Sequence, residues 1–173
     1  MKKEKIIIIL YLFITILSIS NVYADINNYD LLGKVIYLDP GHGGIDSGTT
    51  YKNIYEKDIN LVLCKKLYQE LTNRGAKVYL TRETDKDLSV SKKHRKRSDL
   101  ISRAYLINKT KPDMYISIHL NYISNTKWKG LQVFYTNKNK ENKESANKIT
   151  SYMKEKTSNV KDPKENNTYY MYK

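Results

Sequence analysis

Val35-Ile36-Tyr37-Leu38-Asp39-Pro40-Gly41-His42-Gly43-Gly44 is the stretch from which the rest of the chain is read. The apolar run at its start predicts a buried strand. Proline and glycine then end the strand and open a tight loop. His42 sits in the middle of that break, where a packed core has no use for an imidazole. A histidine on a glycine-rich loop at the carboxyl end of a strand is a candidate metal ligand. Taken alone it is also what many strand-to-helix turns carry, so its meaning depends on partners elsewhere in the chain.

Reading outward, residues 34–39 are expected to form the first strand and 40–55 a loop long enough to be functional. A helix is predicted over 56–74, with Ile59, Val62, Leu63, Leu67 and Leu71 at helical spacing and Gly75 as its stop signal. A second strand follows at 77–81, then a charged loop at 82–93. A second helix is predicted over 96–108, with Leu100, Ala104 and Ile107 on one face. Residues 114–120 read as a third strand, 121–129 as a loop and 131–135 as a fourth strand. The last predicted helix, 140–156, is polar and held by Ala146, Ile149 and Met153, and the tail from 157 shows no period. Strands alternating with helices predict an α/β, three-layer fold, with a mostly parallel sheet and helices on both faces. In such sheets ligands bind outside the carboxyl ends of the strands.

The N-terminus has a different character. Met1-Lys2-Lys3-Glu4-Lys5 is a basic start, residues 6–19 are almost purely apolar, and Val22-Tyr23-Ala24 presents small residues at the positions a signal peptidase reads. Residues 1–24 are therefore expected to be a secretory signal and 25–33 a leader, with an uncleaved membrane anchor as the alternative. Without a cysteine after the apolar run, lipid anchoring is disfavoured. A length of 173 residues, 40% hydrophobic and 28% charged, fits one globular domain, here 34–173. The formal net charge of +13 suggests a polyanionic neighbourhood such as a cell wall or anionic lipid, with solvated lysines as the plainer reading. Export argues against nucleic acid as the partner. The single cysteine, Cys64, excludes an intrachain disulfide and reads as a buried, inert thiol.

Two residues are expected to converge with His42. His119 ends the third predicted strand, which brings it to the same sheet edge; the alternative is a satisfied core histidine. Glu56 begins the first helix, so its first turn faces that edge too, although a glutamate there is also ordinary helix electrostatics. Together, two neutral imidazoles and a carboxylate match a catalytic zinc site with an open position. Asp39 and Asp46 flank His42 and are candidates to orient its ring, or simply to cap turns. His94, inside Lys92-Lys93-His94-Arg95-Lys96-Arg97, reads as a solvated loop residue. Arg103 and Asn108 read either as helix-surface and C-cap groups or as residues that order the loops. A serine nucleophile at Ser47 has little support.

Asp39-Pro40-Gly41-His42-Gly43-Gly44, then Glu56 with Asn60 one turn later, then 103–108, then Ser117-Ile118-His119-Leu120-Asn121 resemble, in order, the zinc-dependent N-acetylmuramoyl-L-alanine amidases of the Amidase_3 family. Leu120 and the stretch 127–135 look most like the CwlD-type sporulation amidases. The resemblance implies one zinc ion held by His42, Glu56 and His119. Asp39, Asn60, Arg103 and Asn108 would stand behind the ligands or order the loops. It also implies hydrolysis of the amide between N-acetylmuramic acid and L-alanine of peptidoglycan, in the sporulation type as a step toward muramic-δ-lactam in spore cortex. The expected location is the cell wall, the extracellular space or the forespore intermembrane space, with an activating or stabilising protein partner as a further expectation.

One departure from the family stands out. Its second glutamate, a general base in a motif like Glu-x-Gly-Phe-hydrophobic-Ser-Asn, does not occur up to Lys173, and neither Glu155 nor Glu165 has those flanks. The chain is accordingly expected to be truncated before the family's last strand and helix, with little or no turnover, since acid–base help is worth about 10²–10⁴-fold. A missing strand would also leave an exposed sheet edge. The alternatives are a non-catalytic relative that binds zinc and peptidoglycan, and a zinc peptidase of another α/β family. The peptidase is disfavoured because no His-Glu-x-x-His spacing is present.

Overall fold

The computed structural model describes residues 29–120 and 129–172. The signal segment expected at 1–24 and most of the loop expected at 121–129 lie outside the described residues. The chain forms two compact units, one comprising residues up to Leu88 with Tyr105–Leu120, the other Ser89–Ala104 with the chain after Leu120.

The first unit is built on a three-stranded parallel sheet. Strand β1 (Val35–Pro40) is central and is flanked by β4 (Lys77–Leu80) and β5 (Met114–Ile118). Two short strands, β2 (Thr50–Tyr51) and β3 (Ile54–Tyr55), pair as an antiparallel hairpin inside the region expected to be loop. Helix α1 (Glu56–Asn73) follows directly and ends where Gly75 predicted it would. Ile36 and Leu38 on one face of β1 form a core with Cys64 and Ala76, packed against by Leu67 and Leu71 of α1 and by Val78, Leu80, Ile116 and Ile118 of the flanking strands. On the opposite face the Tyr37 and Tyr79 rings stack with centroids 5.7 Å apart. Cys64 is fully buried, and burial raises its thiol to about 12, which bears out the inert reading.

The buried line of α1 differs from the one its apolar spacing predicted. Val62 and Leu63 are exposed, and the buried positions are Glu56, Asn60 and Cys64. These lie four residues apart and share one face. The helix therefore buries a polar first turn and an apolar remainder, and the polar turn is the end next to the loop after β1.

Register sets the sheet edge. Pro40 pairs with Ile118, and the Gly41 amide donates to the Ile118 carbonyl at 3.0 Å. β5 thus ends one residue before His119 rather than including it. His42 and His119 leave adjacent parallel strands at the same level.

In the second unit, helix α3 (Lys140–Lys156) is capped by Asn139, whose side chain accepts from the Glu141 amide at 3.1 Å. Its buried residues are Ala146 and Thr150, whereas Ile149, expected in the core, is 39% exposed. The predicted fourth strand is shorter than expected, β6 (Phe134–Tyr135), and does not extend the three-stranded sheet. It pairs in parallel with β7 (Lys164–Glu165), which forms in the tail that showed no period. Helix α2 (Arg95–Thr110) contributes residues to both units.

Candidate metal centre

His42, Glu56 and His119 meet at the carboxyl edge of the first unit's sheet. One ligand atom from each lies within 4.8 Å of the other two. Glu56 Oε1 is the hub, 3.2 Å from His42 Nε2 and 3.2 Å from His119 Nδ1. The two imidazoles meet edge to face, with centroids 4.9 Å apart and planes at 82°.

Each group is held from behind. The His42 Nδ1–H donates to Asp46 Oδ2 at 2.9 Å, which fixes the tautomer and turns the Nε2 lone pair toward Glu56. Asp46 also accepts from the Gly48 amide through its other oxygen, at 3.2 Å. Glu56 accepts the Thr49 amide at Oε2, 2.9 Å, and the Leu120 amide at Oε1, 2.8 Å. Burial works against its charge. The Thr49 and Leu120 amides, the His42 ring and the Asn60 amide outweigh that and hold the carboxyl below its ordinary range. His119 shifts down because burial, joined by the His42 ring, outweighs Asp39 and Glu56, so its imidazole is neutral near pH 7. A carboxylate at Glu56 and a neutral imidazole at His119 are protonation states that a metal ion requires.

Two glycines make the convergence possible. A Cβ on Gly41 would collide with the His119 ring, so that ring packs directly on bare backbone. Gly48 has φ +64°, and a Cβ there would lie 2.6 Å from His42 Cδ2 and 2.8 Å from Glu56 Oε2. His42 itself adopts φ 63° between Gly41 and Gly43. Left-handed backbone is uncommon away from glycine, and it clusters at functional sites. The fit to a cation follows from the donor set. Lone pairs from a carboxylate and two rings point at one small space, an arrangement that a positive ion relieves.

The other residues singled out from sequence fall into place unequally. Asn60 is fully buried and its Nδ2 reaches the Gly41 carbonyl at 3.2 Å and Glu56 Oε1 at 3.4 Å, so it sits directly behind the cluster. Asp39, also buried, accepts from the Thr81 hydroxyl at 2.6 Å and the Ser117 hydroxyl at 2.8 Å, bracing the ends of three strands. Of the two candidates to orient His42, it is Asp46 that bonds the ring at Nδ1. Arg103 is buried in the second unit, where its Nε donates to Asp99 at 2.7 Å. Asn108 is exposed within α2 rather than at its C-cap. His94 is exposed, as its cationic surroundings implied. Glu165 lies in β7 and accepts from the side-chain amides of Asn137 and Asn167 at 2.9 and 2.7 Å.

Sequence reasoning missed Arg82, which it placed in a charged loop. It is 1% exposed and bonds the carbonyls that precede His42 and follow Glu56. Lys57 was missed as well: its Nζ donates to the Gly44 carbonyl at 2.7 Å and to Asp85 at 2.6 Å. The available signal was position, because Arg82 follows the carboxyl end of β4, the same edge that picked out His119.

Comparison with known proteins agrees with this geometry. The N-acetylmuramoyl-L-alanine amidase model, Amidase_3, matches residues 36–173. The germination-specific N-acetylmuramoyl-L-alanine amidase of Bacillus subtilis is 42% identical over 134 residues, 75% of this chain and 56% of that protein. The chain thus spans little more than half the length of that relative. The CwlD amidase of Clostridioides difficile, solved in complex with the GerS lipoprotein, superposes with a TM-score of 0.76 at 33% identity, over 82% of this chain and 76% of that one. An N-acetylmuramoyl-L-alanine amidase from Clostridium difficile 630 superposes with a TM-score of 0.66, also at 33% identity, over 80% and 72%. With a family match over most of the chain and a solved relative superposing on its fold, the chain belongs to the N-acetylmuramoyl-L-alanine amidase family, Amidase_3.

Proposed function

We propose that this chain is directed at the amide bond between N-acetylmuramic acid and L-alanine in peptidoglycan, with one zinc ion held by His42, Glu56 and His119 and with weak turnover for want of the family's second glutamate. The observation that carries the reading is the position of Glu56 Oε1, 3.2 Å from a nitrogen of each histidine. A carboxylate oxygen and two ring nitrogens converging on one small space are the kind of donor set that would hold a zinc ion. Bound there, zinc would supply Lewis-acid polarisation of a carbonyl and a water of lowered pKa. The chain's own residues would do the rest. Asp46 fixes the His42 tautomer, the Thr49 and Leu120 amides aim Glu56, and burial keeps His119 unprotonated. Since all three cluster groups are committed to the ion, proton transfer to the leaving amine falls to a group outside them.

The likeness to the germination-specific and CwlD amidases supports a role in spore cortex, in the path to muramic-δ-lactam. The basic, apolar start of the chain supports export to the wall or the forespore intermembrane space. A protein partner belongs to the same reading, since the CwlD relative is solved with a lipoprotein.

The test combines metal content with muropeptide analysis. The zinc-loaded chain is expected to hold one zinc per molecule and to free stem peptide from muramic acid only slowly, since the family's second glutamate motif does not occur in its sequence. His119→Ala is expected to lose the metal, an effect of at least about 10²-fold in affinity, the upper end of what loss of a supporting residue alone gives. Zinc retained one-to-one in His119→Ala would overturn the ligand set. Peptidoglycan bound without release of peptide would favour the non-catalytic binding protein. Cleavage inside the stem peptide would favour a peptidase.

A further inference from the structure

We propose that Arg82 is the positioning residue that fixes His42 and Glu56 relative to one another, so that the affinity of the site for its metal depends on this side chain. The inference rests on the metal site proposed above. Arg82 is 1% exposed, and its guanidinium donates to several backbone carbonyls. Nε donates to Pro40 O at 2.9 Å, and Nη2 donates to Gly41 O at 3.0 Å and to Lys57 O at 2.7 Å. Nη1 reaches Thr84 O at 3.2 Å, within the turn that Arg82 itself opens. Pro40 and Gly41 are the two residues before His42, and Lys57 is the residue after Glu56. One rigid, planar fork therefore ties the backbone that carries one ligand to the backbone that carries another.

The third ligand is coupled through Gly41. The His119 ring packs on the space a Gly41 Cβ would fill, and the Gly41 carbonyl is held by Asn60 Nδ2 at 3.2 Å as well as by Arg82. Asn60 makes this contact at a cost. Its Oδ1 is buried without a hydrogen-bond partner among the described residues. Rotating the amide would put that oxygen against two acceptors, the Gly41 carbonyl and Glu56 Oε1. A displacement of Gly41 would thus move His42 through the chain and His119 through ring contact.

A buried arginine also stabilises a fold, so the test must separate positioning from stability. Arg82→Ala, Arg82→Lys and, as a control, Arg74→Ala would be compared. Arg74 pairs with Asp30 at the exposed end of α1 in the same unit. For each variant, circular dichroism and melting of the metal-free chain would be measured. Zinc dissociation constants would come from chelator competition, and the visible absorption spectrum would be recorded with Co²⁺ in place of zinc. The expected result is a dissociation constant raised about 10–100-fold in Arg82→Ala, with an altered Co²⁺ spectrum and a folded metal-free state. Arg82→Lys keeps the charge but not the fork and should recover only part of the loss, while Arg74→Ala should change melting and leave zinc affinity alone. Two results would overturn the proposal: Arg82 variants that bind zinc as tightly as the parent with the parent's Co²⁺ spectrum, or failure of both to fold, which would assign Arg82 to stability. A parent chain that binds no zinc would instead defeat the metal site itself, a different outcome from either.

Discussion

The two halves of the first unit's sheet are built from opposite materials. Around the middle of β1 the buried side chains are Ile36, Leu38, Cys64 and Ala76. At its carboxyl end they are Asp39, Glu56, Asn60, Thr81 and Arg82, all under 5% exposed. The apolar half stabilises through area removed from water, about 25 cal/mol per Å², and is indifferent to small changes of angle. The polar half gains little net stability, since each hydrogen bond nets only about 0.5–1.5 kcal/mol against water. What it provides is direction, because each bond specifies where a particular atom must lie. Helix α1 passes through both halves, with Glu56 and Asn60 in one and Cys64 in the other.

If the division holds, substitutions in the two halves should fail in different ways. The largest effect is expected at Leu38, which is fully buried. Leu38→Ala should destabilise by about 2–5 kcal/mol in denaturant melts, while molecules that remain folded bind zinc as before. A loss of zinc affinity in the folded fraction would erase the distinction. Next comes Asp46, which orients His42 and is only partly buried. Asp46→Ala should weaken zinc binding by about 10–100-fold and leave the metal-free melting point nearly unchanged, a contrast read by chelator competition beside calorimetry.

The smallest effect concerns pH. His119 and Glu56 both titrate below their ordinary values of 6.5 and 4.5 in the folded chain. The unfolded chain therefore takes up each proton first as pH falls. Stability of the metal-free protein should be full above pH 6.5, decline below it as unfolded His119 protonates, and decline again below pH 4.5 with Glu56. Melting of the parent and of His119→Ala across that range checks the assignment. The upper step should vanish in the variant and persist in Leu38→Ala.

Much of this division was legible in the sequence, and its limits have physical causes. The strand before His42, the helix after Glu56 and the shared edge of His42 and His119 follow from apolar runs, glycine stops and strand alternation. The buried face of α1 did not follow, because periodicity counts apolar residues. Two of the three most buried positions of that helix, Glu56 and Asn60, are polar. The same bias picked Ile149 and passed over Thr150 in α3, and left Arg82 in a charged loop. β7, and with it the partner of β6, was invisible for a different reason: it has two residues, too few to show an alternation. The β2–β3 hairpin is equally short and carries exposed Tyr51 and Ile54, which give no burial signal.

The left-handed backbone at His42 also bears on how this centre can change over evolutionary time. Histidine, asparagine and aspartate tolerate that conformation several-fold better than other side chains, and branched residues scarcely at all. Of the usual ligand types, aspartate is thus the easiest replacement at position 42, whereas cysteine would add backbone strain to the change of donor. Glu56 in a helix and His119 beyond a strand end carry no such restriction. A drift of this centre toward a softer, sulfur-preferring metal would therefore begin at position 56 or 119, with the histidine of the glycine loop the last of the three to be exchanged.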